Sequence, residues 1–355
     1  DPHVGLADPG QLARDLDVAR LDLAEDGEEP DPAALQEAAC VAEAAARAVP
    51  GVTQIDGASA GYGRRRVHLA ATNGFSAGTT RTDHQLSCVA ISGEGTKMER
   101  DYDYDSRIHR TDMRGAAEIG RIAGERAAAR QGARRPKTGT YPVLYDERIS
   151  SSLIGHLLSA INGTMIARGS SWARGLMDQP VLPDALSLTH EPHRARVPGS
   201  RLYDAEGLPT AGGAIVEDGV LRSWILDLAT ARKLGLQSNA MAARSPGSSP
   251  SPSPGNLRLT EGDRSRDEML RDMGTGLWVT SLIGSTINPN TGDYSRGAAG
   301  FWVENGEIAF PVNECTIAGN LRDMLRQIEP ANDARTWLSR VVPSLLVEGM
   351  TLAGN

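Results

Sequence analysis

The sequence predicts an α+β fold in two parts. Residues 1–138 read as an N-terminal α/β domain with long helices, and residues 139–355 as a mostly antiparallel, barrel-like β domain. Two long stretches of the front half carry small or apolar residues at helical spacing, with an alternating run between them. After about residue 170, Gly turns, Pro punctuation and short alternating runs take over. The composition agrees: 355 residues, 40% hydrophobic but only 4% aromatic, with 39 glycines, suit close helices and tight turns, and the length suffices for two cores.

The elements follow in order. Asp31-Pro32 is an N-cap followed by Pro at the first helical position, and Leu35, Ala38, Ala42, Ala45 and Val49 continue at helical spacing to a stop at Pro50-Gly51. The run 65–105 alternates and holds a hairpin signal at Asn73-Gly74. A second helix is expected over about Thr111–Arg130, with Ala116, Gly120, Ala123 and Ala127 forming a small inner face. "GTYPVLYDE" (139–147) reads as a buried strand, and "ISSSLIGHLLSAING" after it as a helix whose serines cap its start. Further on, 212–226 and 297–312 read as hairpins turning at Glu-Asp-Gly and Glu-Asn-Gly, 226–235 as a helix, and the Ser/Pro-rich 244–259 as a mobile loop.

Charge and motifs exclude several functions. The net charge of −8 gives no basic face for nucleic acid, and the runs "GRRRV" (63–67) and "ARRPK" (133–137) are short, reading as solvated rims or subunit-contact charges. No apolar run is long enough for a membrane helix. Cys40, Cys88 and Cys315 form no C-x-x-C pair, which fits a reducing, cytoplasmic setting. The opening "DPHVGLADPG" has neither Met nor a signal-peptide pattern, so a front segment is expected to be missing.

Candidate chemistry is sparse. Asp101, Asp103 and Asp105 imitate half a calcium loop, but Ser106 stands where Gly is needed and Asp112 where Glu is needed. The alternation with Tyr102 and Tyr104 is that of a strand with one wet face. "HEPH" (190–193) has Pro192 between its histidines, which costs about 3 kcal/mol in a helix, so it reads as a loop without metal. Ser152 and His156 stand one helical turn apart, yet a Ser–His nucleophile also needs an orienting group and free backbone N–H donors. A continuous helix supplies neither. Capping by the serines and packing by His156 are favoured.

Several separated motifs resemble the TldD/TldE (TldD/PmbA) family: "ATNGFSAG" (71–78), "MERDYDYD" (98–105), "GHLLSAINGTMIARGSS" (155–171), "SRLYDAEGLPT" (200–210), "RSPGSSPSPSPGNLRL" (244–259) and, most specifically, "NPNTGDYSRGAAGFWVENGEIAFPVNECTIAGNL" (288–321). The likeness covers nearly the whole chain and favours the TldE (PmbA) branch. It implies a cytosolic two-chain metalloprotease that cleaves leader or unfolded peptides. In that pair the TldD subunit holds zinc on an H-E-x-x-x-H helix and a Cys near its C-terminus. Laid over that motif, "SSLIGH" puts Ser151 at the first His and Ser152 at the Glu, leaving His156 as the one match. The segment "ANDARTWLSRVV" (331–342) has no Cys. No catalytic residue and no metal ligand set are therefore expected in this chain, with zinc in a TldD-like partner. A heterodimer with that partner is expected, with self-pairing when it is absent. Unfolded peptides are the expected substrate, held by strand addition. Candidates to line the cleft or the subunit contact are His156, Arg168, Ser170, Ser171, Arg244, Ser245, Asn288, Asp293 and Arg296. The alternative is a stand-alone peptide- or protein-binding modulator, since relatives have been described as modulators of DNA gyrase.

Overall fold

The computed structural model describes residues 1–355. The front portion is a three-stranded antiparallel sheet covered on one face by two helices. Helix α1 (Pro32–Arg47) starts where Asp31 accepts a hydrogen bond from the Ala33 N–H. Strands β1 (Val52–Ala70), β2 (Ser76–Ser92) and β3 (Glu99–Arg107) follow in the order β1-β2-β3. Helix α2 (Ala116–Ala129) closes the portion. It begins later than the periodicity suggests. Asp105 accepts from the Arg114 N–H and Arg114 donates to the Tyr104 carbonyl, which holds the preceding residues off helical geometry. The small face works as expected: a Cβ on Gly120 would overlap the carbonyl of Ala42, so α1 and α2 pack backbone to backbone.

The back portion runs β4 (Gly139–Tyr145), α3 (Glu147–Ala160), α4 (Gly163–Arg168), β5 (Leu188–His190), β6 (Gly213–Glu217), β7 (Val220–Leu221), α5 (Leu228–Leu234), β8 (Ala242–Ala243), β9 (Ser251–Pro252) and β10 (Leu257–Leu259). It continues through α6 (Arg266–Met273), β11 (Gly276–Ile287), β12 (Asp293–Glu304), β13 (Glu307–Asn320), α7 (Leu321–Leu325), β14 (Ile328–Pro330), β15 (Arg340–Val341) and β16 (Leu345–Ala353). Strands β13-β12-β11-β4-β16 close into a barrel because β13 also pairs with β16. All its pairings are antiparallel except β11 with β4. Both expected hairpin turns occur, with Asp218-Gly219 and Asn305-Gly306 all at positive φ, the geometry that suits two-residue hairpins.

Three expectations need correction. The strands after residue 170 are not all short: β11, β12 and β13 have 12, 12 and 14 residues, because they wrap the barrel. Part of 244–259 is built into the fold rather than loose: β9 pairs with β8, β10 pairs with β5 and β15, and the Asn256 amide donates to the Glu191 carbonyl and Ser200 Oγ. The cap of α3 is Asp146, accepting from the Arg148 N–H, not the serines. A carboxylate already stood at the junction between strand and helix, so Ser150, Ser151 and Ser152 fall inside the helix.

Candidate functional site

Helix α3 buries Leu153, Ile154, Leu157 and Leu158 in the main core. Its other side carries Ser152, Gly155, His156 and Ser159, spaced as one stripe and only partly covered. His156 packs edge-on against Tyr294 of β12, ring centroids 5.7 Å apart. The Tyr145 hydroxyl donates to the Tyr294 hydroxyl at 3.3 Å. His156 Nε2 and Ser152 Oγ are both buried without a hydrogen-bond partner. Burial first, and the Arg296 charge second, lower the His156 pKa, so the ring is neutral at pH 7.

The segment 331–342 lies along α3. Arg335 forms an ion pair with Glu147 in the first turn, and Ser150 Oγ donates to the Val342 carbonyl. The Arg340 guanidinium reaches the flank of Gly155, 3.4 Å from where a Cβ would sit.

The fit of a catalytic metal is decided by this donor set. Around His156 stand two hydroxyl-bearing residues, Ser152 and Tyr294, with Arg296 close enough to depress its basicity. No three His, Cys, Asp or Glu side chains converge here or elsewhere. One imidazole beside a guanidinium does not make a zinc site, which needs three protein ligands. The cysteines lie elsewhere: Cys315 on β13 donates to the Ala298 carbonyl, and burial pushes its thiol up to about 11. The Ser–His hydrolase fares no better. No carboxylate orients His156, and the backbone N–H groups beside Ser152 are committed within α3.

The other candidates fall into two groups. Ser170, Ser171, Asn288 and Asp293 belong to one turn cluster. Ser171 Oγ donates to the Ala160 carbonyl at the end of α3, and the Trp172 N–H donates to the Pro289 carbonyl. Asn288 Oδ1 accepts from the Asn290 N–H, and Asp293 accepts from Thr291 and Asn320, which lower its pKa. These side chains shape turns. Arg296, three residues on, donates to the Gly284 carbonyl, and Arg168 ends α4 exposed. Arg244 and Ser245 are exposed elsewhere. Arg244 lines a cavity of 380 Å³ with Leu69, Phe75, Glu206 and Asp227, sharing no residue with the α3 face. Sequence reasoning missed Tyr145, Tyr294 and Arg340; the signal available was only that Tyr294 lies in the most specific motif.

Two decoys are explained. His190 is the last residue of β5, not a loop residue. Its Nδ1 donates to the Ala211 carbonyl, its Nε2 accepts from the Gly255 N–H, and burial, with Arg201, lowers its pKa to about 4. The triple aspartate does lie on a strand, but the wet face carries the tyrosines. Asp101, Asp103 and Asp105 are buried, opposite Ala90, Cys88 and Leu86. Arg148 and Arg130 meet Asp101, Arg126 and Arg114 meet Asp103, and Arg107 meets Asp105. Arg114 lies 2.8 Å from Asp103 Oδ2 but off the hydrogen-bond line, so that contact is ionic only.

Comparison with known proteins completes the description. The family description "PmbA/TldA metallopeptidase C-terminal domain" matches residues 138–354, and "PmbA/TldA metallopeptidase central domain" matches 25–131. The chain belongs to the PmbA/TldD metallopeptidase family. It is 37% identical to the metalloprotease PmbA of Escherichia coli O157:H7, over all of this chain and 77% of that protein. Within one Buchnera aphidicola strain (subsp. Acyrthosiphon pisum), it is 34% identical to the PmbA homologue (75% of this chain, 58% of that one) and 21% identical to the TldD homologue (76% and 58%). Among solved structures, a Bacteroides thetaiotaomicron protein described as a modulator of DNA gyrase superposes with a TM-score of 0.90 at 28% identity, covering 100% of this chain and 79% of that one. TldE from Thermococcus kodakarensis has the same fold, with a TM-score of 0.82 at 18% identity over 100% and 80%.

Proposed function

We propose that this chain is the non-catalytic, TldE/PmbA-like subunit of a cytoplasmic two-chain zinc peptidase that cleaves unfolded or leader peptides. One observation carries the reading: laid over the family's H-E-x-x-x-H pattern, α3 has serines at two of the three functional positions, and the 331–342 segment beside it carries Arg335 and Arg340 but no Cys. Greater identity to a PmbA than to a TldD homologue of one organism supports the branch. Three unpaired cysteines suit a reducing compartment.

In this reading a TldD-like partner supplies zinc and the activated water, and this chain supplies binding surface. The polar atoms His156 Nε2 and Ser152 Oγ, with the Tyr294 side chain, lie buried behind that surface and form no proton-transfer relay. The test is to purify the chain alone and mixed with a TldD-like chain, then measure bound zinc and cleavage of an unfolded peptide. Zinc and cleavage are expected only in the mixture; stoichiometric zinc on the lone chain defeats the proposal. The second reading, a stand-alone modulator, rests on the description of the Bacteroides relative, and gains if no mixture forms a complex.

A further inference from the structure

Strand β1 has 19 residues and pairs only with β2, so its outer edge is open along its length. Residues 63–68, "GRRRVH", are all exposed on both faces. Every second N–H and C=O of such an edge points away from the ladder, ready to pair with another extended chain. Arg64, Arg65 and Arg66 lie at this place, and the only ion pair on the strand, Asp56 with Arg100, is at its far end. Val67 follows, 52% exposed. The chain as a whole carries a net charge of −8, so three unpaired arginines on one open edge run against its overall sign.

From this edge we propose a docking strand for an extended, acidic segment of the peptide substrate. The inference rests on the reading of this chain as a peptide-binding subunit and names the substrate class. Pairing with a second copy is opposed by geometry. An antiparallel pair centred on Arg65 sets Arg65 against Arg65 and Arg64 against Arg66, and a parallel pair in register also sets like against like. A strand with Glu or Asp opposite Arg64, Arg65 and Arg66 meets the opposite charge on both faces, and an apolar residue opposite Val67 covers it. The strand ends at Ala70, and Leu69 and Ala70, with Thr72 in the turn beyond, line the 380 Å³ cavity beside Arg244, so a peptide along β1 runs into a recess rather than into solvent.

The test uses the whole chain and three blocked peptides: one of alternating Glu and Val, one of alternating Lys and Val, and the Glu peptide interrupted by prolines. Anisotropy on the lone chain at low salt is expected to show the Glu peptide binding about tenfold more tightly than the Lys peptide, the sum of three exposed ion pairs. The proline-interrupted peptide loses binding, because it cannot form the ladder. The triple variant Arg64→Glu/Arg65→Glu/Arg66→Glu, altered only at exposed positions, reverses the charge preference. Equal binding of Glu and Lys peptides overturns the inference, as does undiminished binding of the proline-interrupted one. In the mixture with a TldD-like chain, faster cleavage of the Glu peptide that vanishes in the triple variant supports it. Cleavage without charge preference defeats the inference and leaves the two-chain reading standing. Charge-selective binding by the lone chain with no zinc-dependent cleavage in the mixture defeats that reading and leaves an edge that binds acidic peptides.

Discussion

On β3, Asp101, Asp103 and Asp105 are buried and each faces at least one guanidinium. On α3, Ser152 Oγ and His156 Nε2 are buried and face no partner. The front region buries full charges and answers them; the other buries two neutral polar groups and leaves them unanswered. Buried charge is retained only with compensation, because an unpaired ion costs several kcal/mol. A neutral hydroxyl or imidazole left without a partner costs about 1–3 kcal/mol, which a fold tolerates. Ionic density thus marks structure in this molecule, whereas the polar stripe of α3 is sparse and neutral.

The sharpest way to break this contrast is Arg148→Ala. Arg148 joins Asp101 to Asp146 with its side chain 5% exposed, so its loss leaves Asp146 without a guanidinium and Asp101 with the more distant Arg130 alone. A stability loss of about 3–5 kcal/mol is expected by chemical denaturation; a loss below about 1 kcal/mol would show the network to be idle.

A second probe uses pH, with His190 and Glu206 as opposed sensors. The His190 pKa falls from 6.5 to about 4 through burial, so its contribution is complete above pH 6.5 and is lost as pH falls toward 4. That loss amounts to about 3 kcal/mol. Burial raises Glu206 from 4.5 to about 7, so its contribution is complete below pH 4.5 and is lost as pH rises through 7. The two slopes oppose each other between pH 4.5 and 6.5. Glu206→Gln is therefore expected to steepen the acid-side loss of stability, measured as denaturation midpoints from pH 7.5 to 4; an unchanged profile would refute the assignment.

Next in size, Gly120→Val pushes against the Ala42 carbonyl and is expected to cost about 1–3 kcal/mol, read as a lowered Tm. The smallest effect belongs to α3 itself. Ser152→Ala removes a hydroxyl that bonds to nothing, so stability is expected to hold or to rise by about 1 kcal/mol. A large loss there would erase the distinction between the two regions.

Local signals made much of this legible. Asp31-Pro32, the small face around Gly120 and the Asp-Gly and Asn-Gly turns each act through neighbours in sequence, and each appears as expected. What stayed hidden depends on distant partners. The alternation of Asp and Tyr on β3 gives a strand but not its buried face, because the deciding arginines come from α2, the approach to it, and α3. The cap of α3 was misplaced by a cluster of three serines when Asp146 already stood before them. The spacing of Ser152 and His156 on one helix face is legible in sequence, whereas Arg340 beside Gly155 and Tyr294 beside His156 come from strands far along the chain.

The barrel closes through β16, whose Leu345 lies opposite Tyr145 of β4 and whose Leu352 lies opposite Ile317 of β13. During synthesis the first of these strands leaves the ribosome long before the last. Until β16 emerges, β4 and β13 each keep an unsatisfied edge, and the apolar interior between them stays open to water. The nascent chain therefore carries the open edge of β4 through the synthesis of every strand between it and β16, the interval in which a chaperone has most to do.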